Sequence, residues 1–457
     1  MSIALLQSLR SIVGDIGLLA GADVESRSCD PFRNVPPRGG LIVRPSSTAE
    51  LAAVMRLCSS HGQAVVSHGG RTGVSGGAYT DEDEIVVSLE RMRAIEEICP
   101  DGLLAVVQAG VSVEALQQAA ASQGLFYPVD LGSKGSATIG GTIATNAGGN
   151  RVLRWGMTRQ NLLGLEAVLA DGTVVSAMNR LVKNNMGYAL KDMLCGSEGT
   201  LGIVTRAVLR LVPQPMSQEV AFVSVRHHAG LMELLSRARR LPTLSAFEVM
   251  WPDYYELVAA SDTGRRPFPP GAGPCVLIES MGYHPQSDRR QFEELLLAAG
   301  EDGVLADAVL AESGKQVAEL WRVREAAEVI VQAMSPFVSF DISLGIADIE
   351  PFLPRVREAL ARRFGAVRTA TFGHLGDNNI HIAVHVGPDT AARETEVEAA
   401  VFEVLRDYDG AITAEHGIGR HKRVFLPAHK HAGEMDMMRR VRDALDPLRL
   451  LNRNVLF

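Results

Sequence analysis

No CxxC pair occurs in the chain, and its five cysteines (Cys29, Cys58, Cys99, Cys195 and Cys275) are scattered and odd in number. That excludes a cysteine-held iron–sulfur cluster or zinc centre and predicts reduced, mostly buried thiols in a cytoplasmic protein. Long apolar runs are also missing: nothing approaches the ~18 consecutive apolar residues that a membrane-crossing helix needs. Nor is there an excess of positive charge. With 45 Lys and Arg against 53 Asp and Glu, the net charge of −8 gives no electrostatic ground for binding nucleic acid or an anionic membrane surface. The opening MSIALLQSLRSIVGDIGLLAG lacks the charged start of a signal peptide and is interrupted by Asp15, so it reads as an amphipathic helix. What is present is ordinary for a globular chain, with 46% hydrophobic and 21% charged residues. A length of 457 residues predicts two or three domains with a large core.

Glycine is concentrated rather than scarce. Tyr127 to Gly149 reads YPVDLGSKGSATIGGTIATNAGG, with paired glycines at Gly140-Gly141 and Gly148-Gly149. A backbone this bare can lie flush against a large flat ligand, since glycine removes the Cβ and permits positive φ. Small hydroxyls and Asn146 would add hydrogen bonds. The alternative is a tight strand-turn-strand corner, which also uses glycine. A second loop, SHGGRTGVSGGA from Ser67 to Ala78, follows the apolar run Ala64-Val65-Val66. Gly69, Gly70, Gly73, Gly76 and Gly77 can turn consecutive amides toward one anionic centre. It is not a dinucleotide fingerprint of the doubly wound type, because no helix pattern follows it. Two such loops in one domain suit an extended ligand with a phosphate middle and a planar end, as a dinucleotide has.

Around them the pattern alternates short strands and helices, which predicts an α+β domain rather than a doubly wound one. LIVRPSSTAELAAVMRL reads as a strand, a turn and a helix capped by Ser47 or Thr48. Strands AVVS, EIVVSLE and LLAVVQAGV follow, then a helix over 113–123, and later a strand over 164–170 with a hairpin at Asp171-Gly172. Composition shifts at Pro213-Gln214-Pro215, so a boundary falls near residue 215. Beyond it come strand FVSV, a helix over 230–239, strand CVLIES, a helix over 287–299 and one long helix over 316–334. SDTGRRPFPPGAGP between them reads as an exposed flap.

FGHLGDNNIHIAVHV carries His374 and His381, and TAEHGIGRHK carries Glu415 and His416. Two imidazoles and a carboxylate make a three-ligand set with open positions, as catalytic zinc requires. The spacing around Gly376 suits a loop feeding a strand. On the residues alone, strand histidines satisfied within a core are the competing reading.

SHGGRTGVSGG, PVDLGSKGSATIGGTIATNAGG, LRWGMTRQNLLGLEAVLADGT and LCGSEGTLGIVTRAVLRL, in this order, resemble the FAD-binding domain of the vanillyl-alcohol-oxidase superfamily. The likeness runs from about Pro45 to the C-terminus and is nearest to the FAD-linked 2-hydroxy acid dehydrogenases, which include D-2-hydroxyglutarate and D-lactate dehydrogenases and the glycolate oxidase flavoprotein subunit. It implies a PCMH-type FAD-binding domain of two α+β subdomains over 1–215, an α+β substrate (cap) domain with an antiparallel sheet over 216–410, and a C-terminal segment over 411–457 returning to the FAD domain. It further implies that FAD lies on Gly69, Gly70, Arg71, Thr72, Gly73 and Gly76, on Pro128, Leu131, Gly132, Ser136, Gly140, Gly141, Thr145 and Asn146, and on Glu198, Gly202, Ile203 and Asn452. Relatives often attach the flavin through a histidine after the first paired glycines; Arg71 stands there, so FAD is expected to be held without a covalent bond. His68, before the glycines, is read as a surface loop residue. At the C-terminus Arg453 and Asn454 replace the Pro-Gly-Lys that usually follows Asn452.

The family's GHLGDGNxH and AEHG motifs imply that His374, His381 and Glu415 bind a divalent metal, zinc being the expected ion, and that His416 is the general base. Asn378 replaces a usual glycine. His385 shares a strand face with His381, as a further ligand, a supporting partner or a core residue. Arg324 falls where relatives place the arginine that grips the substrate carboxylate; the alternative is a solvated helix arginine paired with Glu328. Where the D-2-hydroxyglutarate branch supplies Thr, Lys and Asn, this chain has Glu328, Ser339 and Ala383, which thins the carboxylate-gripping set. The activity implied is oxidation of a D-2-hydroxy acid, such as D-2-hydroxyglutarate, D-malate or D-lactate, to the 2-oxo acid, with the C2 hydride passing to flavin N5. The acceptor of the electrons stays open among a quinone, an electron-transfer flavoprotein, a 2-oxo acid and oxygen. The alternatives are a glycolate oxidase-type flavoprotein subunit acting in electron transfer, and a metal-dependent hydrolase, which has no use for two glycine cradles. Relatives suggest a homodimer, and the location expected is cytoplasmic, with peripheral attachment at the inner membrane also open.

Overall fold

The computed structural model describes residues 2–261 and 266–457. The chain forms two compact units, one from residues up to Gly149, Trp155–Gln214 and Glu415–Phe457, the other from Asn150–Arg154 and Pro215–Ala414.

The first unit holds two main sheets. In one, strands Leu18–Ala20, Leu41–Val43, Ile85–Ser88 and Val65–His68 lie in that order, the first pair antiparallel and the rest parallel. In the other, Ile95–Cys99, Leu104–Gln108, Ile203–Arg210, Leu162–Val168 and Val174–Ala177 are antiparallel throughout. Helix Thr48–His61 begins where the Ser47 side chain accepts from the Glu50 amide at 3.2 Å, and it ends on Gly62 at φ 62°. Its apolar face (Leu51, Val54, Met55, Cys58) shares one core with Val107, Leu165 and Ala207. Apolar side chains at a helical period meet apolar side chains at a strand period, and burying both holds the layers together.

The stretch from Tyr127 to Gly149 is neither a bare loop nor a corner: a short helix, Ile139–Thr145, forms at its centre. Thr138 caps it, accepting from the Gly141 amide at 3.3 Å, and it closes on Asn146 at φ 50°. Small residues let this helix lie directly on a strand end, since a Cβ at Gly140 would come within 2.8 Å of the Ala109 Cβ.

The second unit is one seven-stranded antiparallel sheet in the order Leu305–Leu310, Ser217–Val225, Cys275–Gly282, Leu244–Met250, Arg368–His374, Asn379–His385, Val338–Ser343. Two expectations fail here. The single helix over 316–334 is two helices, Gly314–Arg324 and Ala327–Met334. The buried Tyr254 hydroxyl lies within 3.1 Å of the Val323 carbonyl and 2.8 Å of the Arg324 carbonyl, and the Ala326 amide reaches it at 3.3 Å, so helix-end groups are satisfied by a side chain instead of by further turns. The flap expected over 261–274 has an anchor. Asp262–Arg265 lie outside the described residues, but Phe268 is buried, with its amide and carbonyl each 2.8 Å from the Tyr255 hydroxyl.

Candidate active site

In the first unit the two glycine loops line one cavity of about 350 Å³. Gly69, Gly70, Arg71, Thr72, Gly73, Leu131, Gly132, Gly140, Gly141, Thr145, Glu198, Gly202, Ile203 and Asn452 all border it. Gly76, Pro128, Ser136 and Asn146 do not. Gly76 packs against His421, the Ser136 carbonyl backs Gly70, and the Asn146 side chain accepts from the Arg159 amide at 2.9 Å. Two kinds of glycine are at work. A Cβ on Gly70 would sit 2.0 Å from the Ser136 oxygen, so that glycine lets the loops approach each other. A Cβ on Gly73 or Gly132 would meet nothing within 4 Å, and there the missing side chain leaves cavity for a ligand to fill. Arg71, at φ 55°, also lines the cavity, and among the described residues its buried Nε has no hydrogen-bond partner. A bare cradle with one unanswered guanidinium nitrogen fits a flat, anionic dinucleotide such as FAD.

His68 corrects its reading as a surface residue: it is 2% exposed. Strand Val65–His68 carries it inward, and Nε2 lies 2.8 Å from the Ala78 carbonyl. Burial pushes its pKa down to about 4, against a smaller upward pull from that carbonyl.

Glu415 and His416 border the same cavity. Their turn is built by hydrogen bonds to its backbone: the Glu198 carboxylate accepts from the amides of Ile418 at 2.9 Å and Gly419 at 2.8 Å, and Ser75 Oγ donates to the Gly417 carbonyl at 3.0 Å. Burial raises the Glu198 pKa, while the two amides pull it back. The Glu198 carboxylate is therefore an anchor for the His416 turn. Glu415 Oε1 accepts from the Gly149 amide at 3.3 Å. Asn452 closes the cavity, accepting from the Ser67 amide at 3.0 Å and donating to the Glu198 carbonyl at 2.7 Å. Beside it, Arg453 pairs with Glu84 and Asp83 and Asn454 with Asp81, so the residues standing for Pro-Gly-Lys grip an acidic turn.

In the second unit His374 ends strand Arg368–His374 and His381 lies in the neighbouring strand Asn379–His385, their ring centroids 5.4 Å apart. Arg324 is 6% exposed, which overturns the alternative of a solvated arginine; Glu328 is exposed, and Arg324 pairs elsewhere. Its Nε donates to Glu248 Oε2 at 2.7 Å, and its guanidinium carbon lies 4.9 Å from the Phe372 ring centroid. Glu248 Oε1 lies 2.8 Å from His374 Nδ1. Burial pushes the Glu248 carboxyl up, but His374 and Arg324 together outweigh it and hold the carboxyl below its ordinary value. The buried Asp341 lies 3.9 Å from His381 Nδ1 and accepts from Asn379 at 2.7 Å and from Thr413 at 3.1 Å. His385 Nδ1 lies 2.8 Å from the Pro336 carbonyl. Sequence reasoning missed Glu248 and Asp341, whose trace is a lone carboxylate inside an apolar strand, FEVM and FDIS.

The chain is similar to known proteins over nearly its whole length. Residues 40–178 match the family model described as an FAD binding domain, and residues 214–456 match that described as the C-terminal domain of FAD linked oxidases. The chain is 36% identical over 442 residues to D-2-hydroxyglutarate dehydrogenase of Xanthomonas citri pv. viticola, covering 95% of this chain and 93% of that protein. It is 33% identical over 454 residues to the mitochondrial D-2-hydroxyglutarate dehydrogenase of Bos taurus, covering 98% of this chain and 82% of that protein. Among solved structures, p-cresol methylhydroxylase with substrate bound superposes with a TM-score of 0.79 at 14% identity, covering 99% of this chain and 96% of that one, a likeness of fold. The PCMH-type α+β fold expected from the resemblance is thus the fold of this chain, which is an FAD-linked oxidoreductase and belongs to the FAD-linked oxidase family.

Proposed function

We propose that this enzyme oxidises a D-2-hydroxy acid to the 2-oxo acid, with D-2-hydroxyglutarate, D-malate or D-lactate as candidate substrates. The observation that carries the reading is that the turn bearing Glu415 and His416 borders the glycine-built cavity. A base on that turn stands beside the cofactor's cradle, where an alcohol must lose its proton as it loses hydride. Bound there without a covalent link, FAD supplies the two-electron acceptor. His416 takes the hydroxyl proton. Arg324 grips the carboxylate through the Nη hydrogens not facing His374, Nε being engaged by Glu248. His374, His381 and Glu415 have the donor chemistry to hold a divalent metal, zinc in this proposal, which would lend Lewis acidity to the substrate hydroxyl.

The test is anaerobic mixing of metal-replete protein with a panel of D- and L-2-hydroxy acids while the oxidised flavin band is followed. One D-acid is expected to bleach it, and His416→Ala to slow the bleaching by about 10²–10⁴-fold with the protein still yellow. A yellow protein that no 2-hydroxy acid reduces overturns the reading.

A further inference from the structure

Glu248 lies in the strand Leu244–Met250, every residue of which is buried, and is itself 1% exposed. A carboxylate in such a place is costly unless its oxygens are answered. Both are. It sits directly across from His374 in the antiparallel pairing, with one oxygen toward His374 Nδ1 and the other accepting from Arg324 Nε. A third contact fixes the proton: Arg324 Nη2 lies 3.3 Å from His374 Nε2. A guanidinium can only donate, so Nε2 carries the lone pair and the ring proton sits on Nδ1, donated to Glu248. Arg324 is held equally firmly, between Glu248, the Phe372 ring and the Tyr254 hydroxyl at its carbonyl.

We infer that Glu248 is a positioning residue for the oxidation proposed above: it locks His374 in the tautomer that keeps a lone pair on Nε2, the atom a metal would take over from Arg324 Nη2, and turns Arg324 so that the Nη hydrogens not facing His374 are left for an α-carboxylate. The inference rests on that reading for the metal and the substrate, but the tautomer does not. Glu248 touches neither substrate nor cofactor. It acts through the ring on one side and the guanidinium on the other, as carboxylates behind metal-ligating histidines do.

The first measurement is the nitrogen-15 spectrum of histidine-labelled protein stripped of metal, with His374 assigned by its loss in His374→Asn. An Nδ1–H tautomer is expected at His374; an Nε2–H tautomer overturns the inference. The second compares wild type with Glu248→Gln and Glu248→Asp for FAD content, zinc affinity by competition with a chelator, and KM and kcat on the acid that bleaches wild type. Glu248→Gln keeps the shape but cannot accept from both partners with both oxygens. It should weaken zinc by about 10–100-fold and raise KM, with FAD content unchanged; Glu248→Asp should recover part of both. Wild-type zinc affinity and KM in a folded Glu248→Gln would overturn the proposal. Should Glu248→Gln fail to fold, the wild-type spectrum and Glu248→Asp still decide it. A wild type that binds no zinc and oxidises no 2-hydroxy acid instead sinks the proposed function, and that outcome is read on the unmutated protein.

Discussion

The two units build their polar sites by opposite means. The first arranges backbone: glycines bring two loops together, amides hold the Glu198 carboxylate, and Gly73 and Gly132 leave space where side chains would otherwise stand. The second arranges charge: Glu248, Glu279, Asp341 and Arg324 are all buried around one sheet, each paired. The difference teaches where each should be fragile. A site made of backbone fails by steric intrusion, whereas a site made of buried charge fails when one partner is removed.

The largest effect expected from that contrast is at Glu279, which is fully buried and accepts from Arg151, Gln218, Ser245 and Trp321. Arg151→Ala should cost about 3–5 kcal/mol, because it leaves a buried carboxylate with only the neutral donors Gln218, Ser245 and Trp321. Denaturant unfolding followed by tryptophan fluorescence measures it, and a loss near zero would break the comparison.

Next is His68, a buried group in the cradle whose pKa is driven far down, to about 4. The unfolded chain binds a proton near pH 6.5 that the folded chain refuses, so stability is full above about pH 6.5 and falls as pH drops toward 4. The full span is worth about 3 kcal/mol. The thermal midpoint measured across that range should fall in wild type and flatten in His68→Gln.

The smallest is steric and sharpens the same contrast within the cradle. Gly73→Ala, whose Cβ enters open space, should leave the thermal midpoint of the apoprotein unchanged and weaken FAD by about tenfold, or 1.4 kcal/mol. Gly70→Ala drives a Cβ into the Ser136 carbonyl and should lower the midpoint itself.

What could be read from the sequence follows the same division. Loops made of glycine announce themselves, because the residue type is the mechanism: Gly69 to Gly73 and Gly140-Gly141 stand together in the chain and in the cavity. Helix Thr48–His61 was legible from Ser47 and Glu50 for the same reason, a local cause with a local trace. Glu248, Arg324 and His374 come from three separate elements, and nothing local in FEVM says that its carboxylate meets a guanidinium and an imidazole. His68 misled because it precedes a glycine loop, while its burial is decided by where the strand ends. The break after Arg324 was hidden too, since the group that causes it, Tyr254, is distant in sequence and invisible to helical periodicity.

Asn452 holds Ser67 and Glu198 at one edge of the cavity, and the Val65 amide donates to the Leu450 carbonyl at 2.8 Å. During synthesis the glycine loops leave the ribosome early, and the residues that close their cavity leave it much later. The whole of Pro215–Ala414 must be made in between. The cradle stays open on the growing chain until Asn452 has been made, so capture of the cofactor in its finished form waits for that residue, and a stop codon a few residues before Leu450 would spare both glycine loops yet leave the cavity unsealed.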